Sequence, residues 1–237
     1  MPRENTFHFK RFSLLNDRTA MKVGTDGVLL GAWCDVAGVE RVLDVGTGCG
    51  LIALMVAQRN ARCKVVGIDI DAAAVDEACF NIANSPWSDR VEALEADFNA
   101  YTPDGKYDLI VSNPPFFADG ILAPDSSRMC ARHMVELDIA TLVKKSVSLL
   151  GDGGRLCLIT PVDLEASILD ACAEAGASLA KRTLVYTKVG AQPKRCLWEI
   201  SKAPMASPVT AVLYIHKAGG GYSDDYVDLC KDFYLHM

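Results

Sequence analysis

The chain has 237 residues, of which 50% are hydrophobic and 23% charged, with a net charge of −6. This is enough apolar material for one substantial core, which excludes a disordered or fibrous chain and makes a single domain the expectation. The opening MPRENTFHF lacks the apolar segment of a secretory leader, and charges such as Asp35, Arg41 and Asp44 interrupt the hydrophobic runs before they could span a bilayer. A cytoplasmic protein without membrane contact is therefore expected. The nine cysteines are odd in number and none has Cys-x-x-Cys spacing, so neither a disulfide framework nor a metal site is expected.

Residues 1–24 carry a balance of +3 and residues 181–202 a balance of +5, on a chain that is acidic overall. Such asymmetry builds either a local basic face or two solvated edges, and both readings stand at this point.

In chain order, FHFKRFSLL suggests a short hairpin or an arm. MKVGTDGVLLGAWC (21–34) starts a helix with Thr25 or Asp26 as its expected cap. A strand at 41–46, a helix at 51–59, a strand at 64–69 and a helix at 71–84 follow. Strands are then predicted at 91–97 and 107–115, a helix at 139–150, a strand at 155–161 and a helix at 164–176. Strands separated by helices of this length form parallel βαβ units. After Gly176 come strand-like runs at 183–189, 195–201 and 209–217 with short links, which favour antiparallel pairing, and a last helical pattern at 222–235. The class is α/β, a doubly wound sheet with an antiparallel end.

Four motifs sit at the carboxyl ends of successive strands, where open α/β sheets bind ligands. Asp44-Val-Gly46-Thr-Gly48-Cys-Gly50 closes the first. Its third glycine comes one residue too early for the dinucleotide pattern Gly-x-Gly-x-x-Gly. Asp69, followed by Ile70, closes the second, where a carboxylate can accept both ribose hydroxyls of an adenosine; Asp71 is read as a helix cap. Asp97-Phe98 closes the third, as an acceptor for an adenine amine with a ring to cover its face, or as a loop aspartate beside a core phenylalanine. The fourth is Asn113-Pro114-Pro115-Phe116. A planar amine is a poor nucleophile because its lone pair is delocalised. Two acceptors on its two N–H groups, the Asn113 amide oxygen and the Pro114 carbonyl, favour a pyramidal nitrogen. Consecutive prolines hold those acceptors without reorganisation, and Phe116 offers a face to a flat substrate. His133 is a weak candidate for a base. Phe7, Phe12 and Phe117 are read as packing residues.

Together LDVGTGCG, VVGIDID, EADF and NPPF resemble the class I methyltransferases that modify amino nitrogens. With MKVGTDGVLLGAW, ARHMVELDIATLV and LCKDFYL, the chain resembles the bacterial valine-tRNA adenine-N6 methyltransferases almost end to end. The resemblance implies a Rossmann-like, seven-stranded, mostly parallel sheet in one methyltransferase domain. That domain comprises an N-terminal arm and cofactor-closing segment (1–40), a cofactor-binding and catalytic core (41–176) and an antiparallel end with a C-terminal helix (177–237).

It also implies S-adenosylmethionine as cofactor and the adenine next to the anticodon of a valine tRNA as substrate, with no obligate protein partner. Lys22, Thr25 and Asp26 would close over the cofactor, and Asp44, Gly46, Gly48 and Gly50 would meet its methionine half. Asp69 with Ile70 would hold its ribose, and Asp97 with Phe98 its adenine. Asn113 to Phe116 would be catalytic, with Asn113 also meeting the cofactor. The family often has Tyr where this chain has Phe116, so a ring face is kept and a hydroxyl is lost. Lys10, Arg11, Lys181, Arg182, Lys188, Lys194 and Arg195 would face RNA.

Three rival enzyme readings and one binding module remain. A release-factor glutamine methyltransferase uses the same motif but carries a helical N-terminal domain, for which there is no room before residue 21. A guanine-N2 ribosomal RNA methyltransferase commonly has a further RNA-binding domain, and a DNA adenine methyltransferase a target-recognition insertion. A non-catalytic RNA-binding module would have no use for Asn113.

Overall fold

The computed structural model describes residues 5–19, 21–115, 138–205 and 207–237. A hairpin of β1 (Thr6–His8) and β2 (Ser13–Leu15) leads into α1 (Thr25–Trp33). Then follow β3 (Arg41–Val45), α2 (Leu51–Arg59), β4 (Lys64–Asp69), α3 (Ala72–Ala83), β5 (Val91–Glu95) and β6 (Tyr107–Ser112). The second half contains α4 (Ile139–Leu149), β7 (Leu150–Pro161), a 3-10 turn, α5 (Glu165–Glu174), β8 (Ser178–Lys188), β9 (Pro193–Ser201), β10 (Val209–His216) and α6 (Asp224–Cys230).

The main sheet runs β5-β4-β3-β6-β7-β9-β8-β10. From β5 to β7 all pairings are parallel, and β9 is antiparallel to both β7 and β8. Seven strands have the expected arrangement. The eighth, β10, departs from the expectation of antiparallel pairing: it lies parallel to β8, with Val209 opposite Lys181 and His216 opposite Lys188. The reason is β9. It inserts between β7 and β8, so the chain leaving β9 must pass over β8 and returns in the same direction as β8.

Residues of alternating parity feed two cores, as the period of a strand dictates. Val42, Leu109, Val111, Cys157, Ile159 and Leu197 face α1, α2 and α6. Leu43, Ile110, Leu156, Leu158, Trp198 and Ile200 face α4 and α5. Trp198 is fully buried, and its indole N–H donates to Thr160 Oγ1 at 2.8 Å. Among the described cysteines seven are buried and Cys79, on α3, is exposed. Burial pushes the seven buried thiols up, Cys34 to about 11 and Cys49 to about 12.

Two helix ends differ from the sequence reading. The cap of α1 is Gly24 in extended backbone, not Thr25 or Asp26, and no side chain bonds there. The last helix is shorter than 222–235. Ser223 caps its start by accepting from the Tyr226 N–H, and beyond Cys230 the chain bonds to the hairpin instead. Lys10 N–H donates to Phe233 O, and Phe9 bridges Tyr234. No helix among the described residues is long and apolar enough to cross a membrane.

Trp198 joins the two halves of the sheet through both its ring and its N–H. Trp198→Ala should lower unfolding free energy by about 3–5 kcal/mol. Urea denaturation monitored by circular dichroism checks this; a loss under 1 kcal/mol would show that the indole does not anchor this face.

Candidate active site

The sheet order reverses between β3 and β6, and a cleft of about 420 Å³ opens at the carboxyl ends of the strands there. Its floor is the turn after β3. Gly46, Gly48 and Gly50 have φ of 72°, 55° and 85°, a left-handed backbone that side chains resist, which is why this turn needs three glycines. A Cβ at Gly46 would meet nothing within 4 Å, so this position is open on the cleft side.

Asp44 does not line the cleft, contrary to the expected contact with a cofactor. It is fully buried behind the turn, where Oδ2 accepts from Thr47 Oγ1 at 2.7 Å and from the Ala53 N–H at 3.1 Å. Asp44 Oδ1 has no partner among the described residues. Burial raises this carboxyl to about 7, against the opposing pull of the Thr47 and Ala53 bonds.

Asp69 lines the cleft. Its carboxylate accepts from the Gly48 N–H at 2.9 Å and the Asp71 N–H at 3.0 Å, so it braces the glycine turn as well as facing the cavity. Burial raises its pKa, opposed by those same bonds. Asp71 caps α3 by accepting from Ala73 N–H, as its position suggested. Ile70 and Met21 are 39% and 46% exposed and both line the cleft, an apolar pair on its rim. Asp97 accepts from the Asn99 N–H at 2.8 Å. Phe98 lines the cleft while packing in the core beneath α4, with Lys145 Nζ 5.4 Å from its ring centroid.

Asn113 lines the same cleft, and its buried Oδ1 has no partner among the described residues. Ser112, just before it, donates its hydroxyl to Val45 O at 2.7 Å and so ties the end of β6 to the end of β3. Pro115 lines the cleft, and Pro114, between it and Asn113, is buried. Phe116, Phe117 and His133 lie outside the described residues. No cluster of metal-ligating side chains occurs among the described residues.

The segment before α1, with Thr19, Met21 and Lys22, and the first turn of that helix, with Thr25 and Asp26, form the remaining wall. Lys22 does not extend into the cavity as a free charge. Its Nζ donates to the carbonyls of Asn16 and Asp17. Asp26 pairs with Arg195 at 2.7 Å.

Two residues invisible to motif reading hold this wall. Glu77 on α3 accepts from the N–H groups of Asp17 and Arg18, both at 2.7 Å, and from the Thr19 hydroxyl at 3.2 Å. Asn81, one turn on, accepts from Leu15 N–H and donates to Leu15 O and Cys49 O. Only their i, i+4 spacing on an otherwise apolar face could have marked them. Gly67 is a third: a Cβ there would lie 2.6 Å from Thr47 Oγ1, so β4 leaves room for the turn.

The seven basic residues expected to face RNA do not form one face. Lys10 Nζ donates to the carbonyls of Lys231 and Met237. Arg11 stacks over Trp87, and Lys10 and Arg11 line a hollow with 36–40 and 60–62, the segments that precede β3 and β4. They therefore sit at the opposite end of the sheet from the cleft. Lys181 lies over Trp33, and Arg182 pairs with Glu165. Lys188, Lys194 and Arg195, at the end of β8 and the start of β9, are at the cleft's end of the sheet.

The cleft suits S-adenosylmethionine on its own features: an open glycine cradle, the Asp69 carboxylate facing the cavity and a buried amide oxygen unpaired among the described residues. The methyltransferase small domain model matches residues 27–175. The chain is 45% identical to the tRNA1(Val) (adenine(37)-N6)-methyltransferase of Phocaeicola vulgatus, covering 98% of each. It is 41% identical to the protein of the same name from Aeromonas hydrophila, over 100% of both. A predicted O-methyltransferase from Agrobacterium tumefaciens superposes with a TM-score of 0.68 at 21% identity, over 88% of this chain and 96% of that one.

Two predictions follow from Glu77 and Asp44. Glu77→Ala should free the 16–23 wall, weaken S-adenosylmethionine binding about tenfold or more and speed amide exchange at residues 17–19, since bonds to a charged acceptor are worth about 1.5–3 kcal/mol. Calorimetric titration giving an unchanged Kd would refute this. The Asp44 carboxyl titrates higher folded than unfolded, so the folded state binds the extra proton between pH 4 and 7, and stability falls as pH rises through that window. Asp44→Asn removes the effect. Its stability relative to the parent should therefore rise from pH 4 to pH 7, by at most about 4 kcal/mol. A difference that does not change with pH in thermal unfolding would contradict it.

The match over more than half of the chain, together with relatives that cover it end to end, establishes that this protein belongs to the tRNA1(Val) (adenine(37)-N6)-methyltransferase family of class I, S-adenosylmethionine-dependent methyltransferases.

Proposed function

We propose that the protein transfers a methyl group from S-adenosylmethionine to the exocyclic N6 of the adenine next to the anticodon of a valine tRNA, in the cytoplasm. One observation carries this reading: the buried amide oxygen of Asn113, unpaired among the described residues, on the wall of the cofactor cleft. An acceptor without a donor is costly to bury, and a planar amine repays that cost. The bound cofactor supplies an electrophilic methyl on a positively charged sulfur.

The chain's own residues supply the rest. Asn113 Oδ1 accepts one N–H of the amine and the Pro114 carbonyl accepts the other, which draws the nitrogen lone pair out of conjugation. Ser112 and the two prolines fix these acceptors beforehand, so the chemistry needs no rearrangement. The proton released from nitrogen leaves through the Asn113 hydrogen bond to water, and no side-chain base is required. Asp69 and the glycine turn orient the cofactor. The target adenine lies in a loop, where splaying it out costs less than from a duplex.

The test is tritium transfer from labelled S-adenosylmethionine to total tRNA that lacks this methylation, followed by nucleoside analysis. Label in N6-methyladenosine from a valine tRNA is the expected outcome. Label in ribosomal RNA or in a release factor would keep the enzyme class and overturn the substrate. Asn113→Ala should lower kcat by about 10²–10³, the usual cost of one preorganised polar group, while the Kd for S-adenosylmethionine stays within about twofold. Loss of cofactor binding in that variant would assign Asn113 to the cofactor instead.

A further inference from the structure

A second groove, of about 590 Å³, adjoins the cofactor cleft and shares Val23, Gly24, Thr25 and Asp26 with it. Its far wall comes from β8, β9, β10 and the segment entering α6. The ends of β8 and β10 and the start of β9 all lie at the same end of the sheet as Asn113. The partition between the two cavities is the first turn of α1. Gly27, in that turn, is so close to the catalytic asparagine that an added Cβ would be 4.0 Å from Asn113 Nδ2.

Aromatic faces and cations line this groove. His216 and Tyr222 stack at 5.3 Å with an interplanar angle of 26°, and Tyr222 remains 48% exposed. Tyr226 lies beneath Tyr222 at 5.1 Å. His216 Nδ1 is 3.0 Å from Thr187 O. A carbonyl can only accept, so this nitrogen carries the proton, and in the neutral ring Nε2 is an acceptor. Lys194 is exposed on the rim and has no ion pair or side-chain hydrogen bond among the described residues. Arg195 beside it is paired with Asp26. Stacked rings with an adjacent free cation match a nucleobase and its phosphate; an apolar peptide would leave Lys194 unanswered.

We propose that this groove is a nucleotide subsite: it holds a base of the RNA that flanks the target adenine, stacked on Tyr222 and His216, with a phosphate at Lys194. The proposal rests on RNA being the substrate. It explains how one small domain grips a single-stranded loop: the target base enters the cleft beside Asn113 while a neighbour is clamped across the first turn of α1.

The experiment is steady-state kinetics with the unmethylated valine tRNA, alongside calorimetry with S-adenosylmethionine. Tyr222→Ala should raise KM for tRNA roughly 5- to 150-fold, the fold-change equivalent of about 1–3 kcal/mol for one stacked base, with kcat falling less than KM rises and cofactor Kd unchanged. Tyr222→Phe, which keeps the ring, should recover most of that affinity. Lys194→Ala should lower the slope of log affinity against log salt by about 1. If the parent methylates tRNA and Tyr222→Ala has the same KM, the subsite is wrong and the substrate stands. A rise in cofactor Kd equal to the rise in KM would assign Tyr222 a structural role and overturn it too. Failure of the parent to methylate any RNA would remove both.

Discussion

A single buried carboxylate organises this end of the molecule. Asp44 takes the Thr47 hydroxyl and the Ala53 amide, which forces the chain to turn back sharply between the end of β3 and the first turn of α2. The turned backbone presents the Gly48 N–H to Asp69, and the Asp69 carbonyl in turn accepts from Ala96 at 2.8 Å. Three successive strand ends are thereby linked from one side, and Ser112 adds the fourth from the other by bonding to Val45. Each link is made by a polar group that would be costly to bury alone, so the arrangement is all or none in character. Burial raises the Asp44 carboxyl to about 7, so its charged form is held against its environment, and the precision of the cleft is obtained at some expense of stability.

The two halves of the sheet divide the work. The parallel half, from β5 to β7, carries the glycine turn, Asp69 and Asn113 at its carboxyl edge. The half containing β8, β9 and β10 carries the cations that reach the same edge. A chain that is acidic overall can still present a positive corner to a polyanion, because the field at close range follows the nearest charges rather than the sum. The first turn of α1 lies between the two, touching both.

Legibility in the sequence tracked the range of the interaction. The parallel strands and their helices were readable because period and turn chemistry are local. The position of Gly46, Gly48, Asp69 and Asn113 on the cleft was readable for the same reason, since each sits at or just after the end of a strand. What escaped reading depends on partners far along the chain. Asp44 looks like a ligand in sequence and is a brace in space. Glu77 and Asn81 look like ordinary helix residues until the arm, some sixty residues earlier, folds onto them. Lys10 and Arg11 look like part of a basic face, yet the hairpin carries them to the far end of the sheet. The direction of β10 was misread because short links imply hairpins only when consecutive strands are neighbours, and β8 lies between β9 and β10.

The distribution of thiols has a practical corollary. Seven of the described cysteines are shut inside the two cores and held in the protonated form, where alkylating reagents and oxidants find neither access nor a thiolate. Cys79 alone among them meets solvent, midway between Glu77 and Asn81 on the helix that grips the arm. A maleimide dye would therefore settle on that helix ahead of the buried thiols, on a face turned away from Glu77 and toward the strand that carries Ala93.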